Sequence, residues 1–193
     1  MSKKFLSREE VPFGPPQHTF GLRIVKEVWY DENGVREYWK YSLPDAVQIF
    51  GLTTEGLVVA ISEFQPGVGV DYLHLPGETM EWGETPLKAA VRGLFEETGY
   101  VAETESVKLL STILENSGRS DRLVHILLAT NCKKSEHQGE KGIKTVLLSP
   151  SEFWNRLMQY FVTSPDHKHG GGNSLKATAL AFSELGLLII RKE

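Results

Sequence analysis

The chain has 193 residues, enough for one compact domain with a small appended element. Apolar residues make up 40% and charged residues 24%, an ordinary globular balance, and the formal net charge of -4 excludes a general attraction to nucleic acid or to an anionic membrane. A polyanionic ligand must therefore be met by local positive charge or by metal ions. The lone cysteine, Cys132, follows the apolar run 123–129 and reads as a small buried residue; with no disulfide partner it points to a reducing compartment. The segment Met1–Leu6 turns polar too soon for a signal peptide, and no apolar run approaches the roughly 20 residues of a membrane span, so the expected location is the cytoplasm.

Residues 1–18 are polar and proline-rich (Pro12, Pro15, Pro16), as in an extended arm. Residues 21–42 hold two strand-like stretches around Asp31-Glu32-Asn33-Gly34, and Asn-Gly between such stretches predicts a hairpin. Residues 47–53 and 57–64 form a second pair, turning at Thr54-Glu55-Gly56. The loop Gln65–Val70 and a short strand over 72–75 follow. From Thr85 the period becomes helical. Thr85 suits the N-cap, Pro86 the first helical position and Gly99 the terminator. Leu87, Ala90, Val91, Leu94, Phe95 and Thr98 line one apolar stripe. Residues 107–114, 123–130 and 143–148 read as strands, 151–161 as a helix capped by Ser151, and 174–187 as a last helix. Two domains are expected: an arm and hairpin over 1–42, and an α+β domain over 43–193 with a mixed sheet between helices.

The chemistry concentrates in Gly77–Gly99. Positions 93, 96 and 97 project together on the helix, and Arg92 stands one turn before Glu96. Hard carboxylate oxygens beside a glycine-containing loop suit Mg2+ or Mn2+, which hold and polarise phosphate oxygens. Arg92 can fix a carboxylate by charge-assisted hydrogen bonds.

This stretch resembles the Nudix box, G-x5-E-x7-R-E-U-x-E-E-x-G-U, where U is bulky and apolar. Glu84, Arg92, Leu94, Glu96, Glu97, Gly99 and Tyr100 fall in register with it. Two positions depart: Glu78 stands at the opening glycine, and Gly93 at the glutamate after the arginine. The resemblance implies an α/β/α Nudix sandwich and Mg2+-dependent (or Mn2+-dependent) hydrolysis of a nucleoside diphosphate linked to another moiety. Phe64–Gly69 with Leu73–Gly77, and Asn116–Arg122 with His125, are similar to the ADP-ribose pyrophosphatase and nucleotide-sugar branch. That branch has a basic residue at Gln65, often a proline at Ser117 and a glutamate at Arg122.

On this resemblance the metal is expected at Glu96, Glu97 and Gly77; catalysis at Arg92, Glu97 and Glu140, with Glu136 as the other loop carboxylate; and substrate at Gln65, Glu84 and Arg119. Gly93→Glu is expected to raise turnover by restoring an acid, and Glu78 to compensate in part for its loss. Trp29, Tyr30, Trp39 and Tyr41 on the first hairpin suit a homodimer surface or a platform for a base. Asp166-His167-Lys168-His169 reads as a surface loop or a second metal site. The competing expectation is a ligand-binding or sensory protein on the same fold, favoured by Gly93 and Arg122 and opposed by the retained Arg92, Glu96 and Glu97.

Overall fold

The computed structural model describes residues 4–11, 21–66, 69–163 and 172–187. The Asp166–His169 cluster lies outside them. The chain forms two compact units, one from residues 1–45 with 113–124, the other from 46–112 with 125–193.

The first unit is a three-stranded antiparallel sheet in the order β1 (Lys4–Val11), β2 (Arg23–Asp31), β3 (Gly34–Ser42). The hairpin turns as its sequence indicates. Asp31 pairs with Gly34, the Asn33 amide donates to Asp31 Oδ1 at 2.8 Å, and the positive φ of 102° falls on Gly34. Within the arm expected over 1–18, the described residues Lys4–Val11 form the strand β1. Its own sequence is mostly polar, and what recruits it is distant in the chain. Arg8 donates to Glu27 at 3.4 Å and to Asp121 at 2.8 Å, and Phe5 meets Trp29 edge-on at 5.4 Å. Burial opposes the charge of Glu27, but hydrogen bonds from Lys40 and Trp29 hold its carboxyl below the usual range. The segment 113–124 is laced to the end of β3 and the residues after it. Tyr41 N–H donates to the Arg119 carbonyl, Leu123 N–H to Asp45, and the Arg122 guanidinium to the Pro44 carbonyl and Glu115.

The second unit is built on β4 (Ala46–Thr53), almost wholly buried because it runs through the middle of its sheet. Around it lie β5 (Val58–Gln65), β6 (Val70–His74), β7 (Gly77–Thr79), β8 (Tyr100–Val101), β9 (Val107–Leu114), β10 (Leu123–Lys134) and β11 (Lys144–Leu148). The main path is β11-β5-β4-β10-β8; β6 pairs with β5, β7 with β4 and β9 with β10. Strand alternation assigns the faces of β4. Val47 and Ile49 pack with Ala89, Ala90 and Leu94 of α1 (Pro86–Thr98), in a cluster that includes the buried Cys132. On the other face Phe50 meets Phe153 of α2 (Pro150–Thr163) at 6.3 Å and Phe182 of α3 (Gly172–Glu184) at 5.9 Å. A sheet between helices, the expected α+β sandwich, is the result. The cap of α2 lies two residues earlier than expected: Ser149, not Ser151, accepts from the Glu152 amide, and Pro150 opens the helix.

Two buried polar side chains place the segment before α1. Gln48, the one polar residue in Val47–Phe50, donates to the carbonyls of Leu75 at 2.7 Å and Pro76 at 3.2 Å. Ser174 of α3 accepts from the Leu75 amide at 3.1 Å. Leucine at position 48 removes both amide bonds but leaves the Pro76 carbonyl with the Ile49 N–H and the Leu75 carbonyl beside His74 Nδ1, so Gln48→Leu is expected to cost about 0.5–1.5 kcal/mol in urea unfolding, whereas exposed Gln138→Leu is expected to change little.

Candidate active site

Helix α1 begins and ends as its sequence dictates. Thr85 Oγ1 accepts from Lys88 N–H, Pro86 opens the helix, and Gly99 takes φ 70° while its N–H reaches the Phe95 carbonyl. Its buried face is turned relative to the expected stripe. Ala89, Ala90, Gly93, Leu94, Glu97 and Thr98 are buried, while Phe95 reaches the surface. Gly93 and Glu97 therefore lie against β7, not on the solvated side.

Arg92 organises the loop before the helix. Its Nε and Nη2 donate to the two oxygens of Glu84 at 3.0 and 2.9 Å, a fork-on-carboxylate pair. Nη2 also donates to the Thr79 carbonyl at 3.1 Å; Nη1 donates to Glu96 at 3.1 Å and lies 3.6 Å from Glu78. The hydrogen bonds that it donates to Glu84 and Glu96 hold the guanidinium even more firmly protonated than usual. Arg92 is thus a fixed positive clamp and cannot serve as an acid or base. Glu84, expected at the substrate, has its oxygens engaged by Arg92 and by the Glu81 amide. That geometry makes it the residue that orients Arg92.

Glu97 is 8% exposed and accepts from the Gly77 amide at 3.0 Å. Burial pushes its carboxyl up to about 8, against the opposing Gly77 hydrogen bond, and the charges of Glu78, Glu63 and Glu140 raise it further. No basic residue stands in the last turn of α1, so the negative end of the helix dipole adds to the same charge. Among the described residues no three His, Cys, Asp or Glu side chains form a ready-made cation cage. The donors are nevertheless all hard oxygens, the type that Mg2+ or Mn2+ takes.

The loop after β10 is tied to the end of α1. Ser135 donates to the Gly99 carbonyl through both N–H and Oγ, and Lys134 Nζ reaches the carbonyls of Thr98 and His137. The His137 ring stacks on Phe95 at 4.6 Å, and a Cβ on Gly139 would sit 2.6 Å from the Glu97 carbonyl oxygen. These contacts carry Glu140, itself exposed, to where its charge acts on Glu97. Glu136 is exposed in the same loop.

Gln65 donates to Glu63 at 2.8 Å, and His74 Nε2 lies 3.1 Å from the same oxygen. The box spacing reaches neither Glu63 of β5 nor His74 of β6, so it offers no signal for this pair. Gln48 had a signal, a lone amide in an apolar strand. The fold thus gathers Gly77, Glu84, Arg92, Glu96 and Glu97, with Glu140 and the Gln65–Glu63 pair electrostatically linked through Glu97. Arg119 belongs to the first unit, in a turn where its amide donates to the Asn116 carbonyl. Arg122, at a position expected to be acidic, is a structural brace between Pro44 and Glu115.

A family model for the NUDIX domain matches residues 42–166. The chain belongs to the NUDIX family. It is 30% identical over 127 residues to the methanol dehydrogenase activator of Bacillus methanolicus, covering 63% of this chain and 66% of that protein. It is 30% identical over 97 residues to the ADP-ribose pyrophosphatase of Bacillus subtilis, covering 50% and 51%, and 27% identical over 121 residues to the ADP-sugar pyrophosphatase of Mus musculus, covering 56% and 55%. The chain thus spans about half to two thirds of these curated relatives. A crystal structure of an ADP compounds hydrolase superposes with a TM-score of 0.73 at 18% identity, covering 97% of this chain and 98% of that one, which supports the Nudix fold.

The Glu97 environment has a consequence for stability. Its carboxyl titrates near 8 in the fold against an ordinary 4.5, so its contribution is fully present below the lower value and lost as pH rises through the higher one. In EDTA, the wild type is expected to lose several degrees of Tm relative to Glu97→Gln between about pH 5 and pH 8. Parallel Tm curves for the two proteins would contradict the assignment.

Proposed function

We propose that this chain is a Mg2+-dependent (or Mn2+-dependent) hydrolase of nucleoside diphosphates linked to another moiety, of the ADP-ribose or nucleotide-sugar class. One observation carries the reading: Glu97, buried and held by the Gly77 amide, faces the carboxylates of Glu78, Glu63 and Glu140, hard oxygens of the kind a divalent cation takes. The names of the pyrophosphatase relatives support the substrate class.

In this reading Glu96 and Glu97, with the backbone at Gly77, hold the cation. A bound Mg2+ supplies neutralisation and polarisation of the diphosphate oxygens. Arg92, oriented by Glu84, fixes Glu96. Glu140 accepts a proton as water oxygen bonds to one phosphorus and the bridging P–O bond breaks, leaving a nucleoside monophosphate and a phosphorylated second product. Gln65 contacts the substrate, and Arg119 of the first unit is the other candidate for a substrate contact. The functional division is an N-terminal arm and hairpin over 1–42 and the Nudix domain over 43–193. The single cysteine, buried and with its thiol pushed up to about 11 by burial, suits a reducing cytoplasm. Among the described residues no helix is long and apolar enough to cross a membrane.

Gly93 favours a second reading, a Nudix-fold ligand-binding or sensory protein of weakened turnover, because the box acid is absent from that position. A Mg2+ and Mn2+ screen over ADP-ribose and nucleotide sugars decides between them. Monophosphate release by the wild type, lowered on the order of 10²-fold or more by Glu97→Gln and by Glu140→Gln, is the expected result. Nucleotide binding without release of monophosphate would favour the sensor.

The proposal extends to a homodimer through the N-terminal sheet. Phe5, Leu6, Tyr30, Val35, Tyr38 and Trp39 are all exposed there, a density of aromatic surface typical of an interface. Sedimentation velocity at micromolar concentration is expected to show a dimer, and Trp39→Glu a monomer. A wild-type monomer would leave these residues as surface cover of the sheet.

A further inference from the structure

The two departures from the Nudix box meet in space. An ideal Cβ built on Gly93 would lie 2.6 Å from Glu78 Cβ and 3.4 Å from Glu78 Cγ. No real Cβ approaches another so closely, so Glu78 already fills the room that a side chain at 93 would take. The reason is the register of β7. Glu78 pairs with Val47 of β4, and α1 packs across β7 with Gly93 on its buried face. The sequence pattern has glycine on the strand and glutamate on the helix; this chain has the same two residue types with their places exchanged.

The Glu78 carboxylate also faces the right surroundings. Oε1 accepts from the Thr79 amide at 2.7 Å, Oε2 lies 3.6 Å from Arg92 Nη1, and its charge reaches Glu97. The same Arg92 Nη1 donates to Glu96, so Glu78 and Glu96 flank one positive group. The geometry points to Glu78 as the third cation-binding carboxylate of this site, delivered from the strand in place of the missing helix acid, with Gly93 as the vacancy that admits it. This rests on the hydrolase reading above, and it corrects one expectation from sequence: Gly93→Glu should harm the site, because the restored side chain collides with Glu78.

The test is Mn2+ binding by electron paramagnetic resonance and Mg2+ binding by calorimetry, on folded protein verified by circular dichroism. Glu78→Gln, nearly isosteric, should weaken cation affinity by about tenfold, as loss of one charged oxygen ligand does. Gly93→Ala, which adds only the Cβ, should lower Tm and affinity together while retaining Glu78. The double exchange Glu78→Gly with Gly93→Glu should recover affinity well beyond either single change, a non-additive pair. Unchanged affinity in Glu78→Gln, with loss in Glu97→Gln, would overturn the Glu78 assignment and leave the hydrolase reading standing. A wild type that binds neither cation would overturn both. Simple additivity of the double exchange would also overturn the proposed substitution of one acid for the other.

Discussion

The hydrogen bond from the Gly77 amide to Glu97 is the constraint around which the second unit is arranged. A carboxylate taken out of water needs donors or a counter-charge. The backbone supplies one donor, and it does so only if the turn after Pro76 is held still against α1. Gln48 and Ser174 hold it from two sides, using the carbonyls of Leu75 and Pro76 and the Leu75 amide. Central strand and C-terminal helix therefore support the site through the segment that they hold in place. Close approach is also why position 77 is glycine: a Cβ there would lie 2.9 Å from the Val47 carbonyl oxygen.

Around this bond the charges separate into two groups. Glu84 and Glu96 are engaged by Arg92, an arginine whose geometry is set by the fork on Glu84. Glu78, which also lies 3.6 Å from Arg92 Nη1, adds with Glu63 and Glu140 to the burial that raises Glu97. The first group gives the loop its shape; the second sets the charge around Glu97. The tie between Lys134, Ser135 and His137 and the end of α1 links the late loop to the same helix, so Glu140 is presented by contacts with Thr98, Gly99 and Phe95 rather than by the loop's own sequence.

Much of this was legible beforehand because its causes are local. Thr85, Pro86 and Gly99 bound α1 through single residues, and Asn33-Gly34 turns the hairpin. The box spacing marked Arg92, Glu96 and Glu97 because helical period makes spacing equal to position. Contacts across sequence were not legible. Strand β1 has too few apolar residues to announce itself, and depends on Glu27 and Asp121 far away. The helix stripe read from apolar residues alone misplaced Gly93 and Glu97, since a buried glutamate and a glycine carry no apolar signal. For the same reason Gly93 looked like an empty place, when the side chain filling it comes from a strand.

The Glu78–Gly93 contact also constrains how such a sequence can change. Between the family pattern and this one lie two single-substitution intermediates. One has glutamate at both places and must fit two side chains where the backbone leaves room for one. The other has glycine at both and lacks the acid, but it has no steric conflict. The route without a steric conflict therefore runs through the acid-poor intermediate, and each end state is protected from drifting back because the first step in either direction loses the acid or the fit. A lineage that crossed this ridge would keep both replacements together, as a single heritable unit.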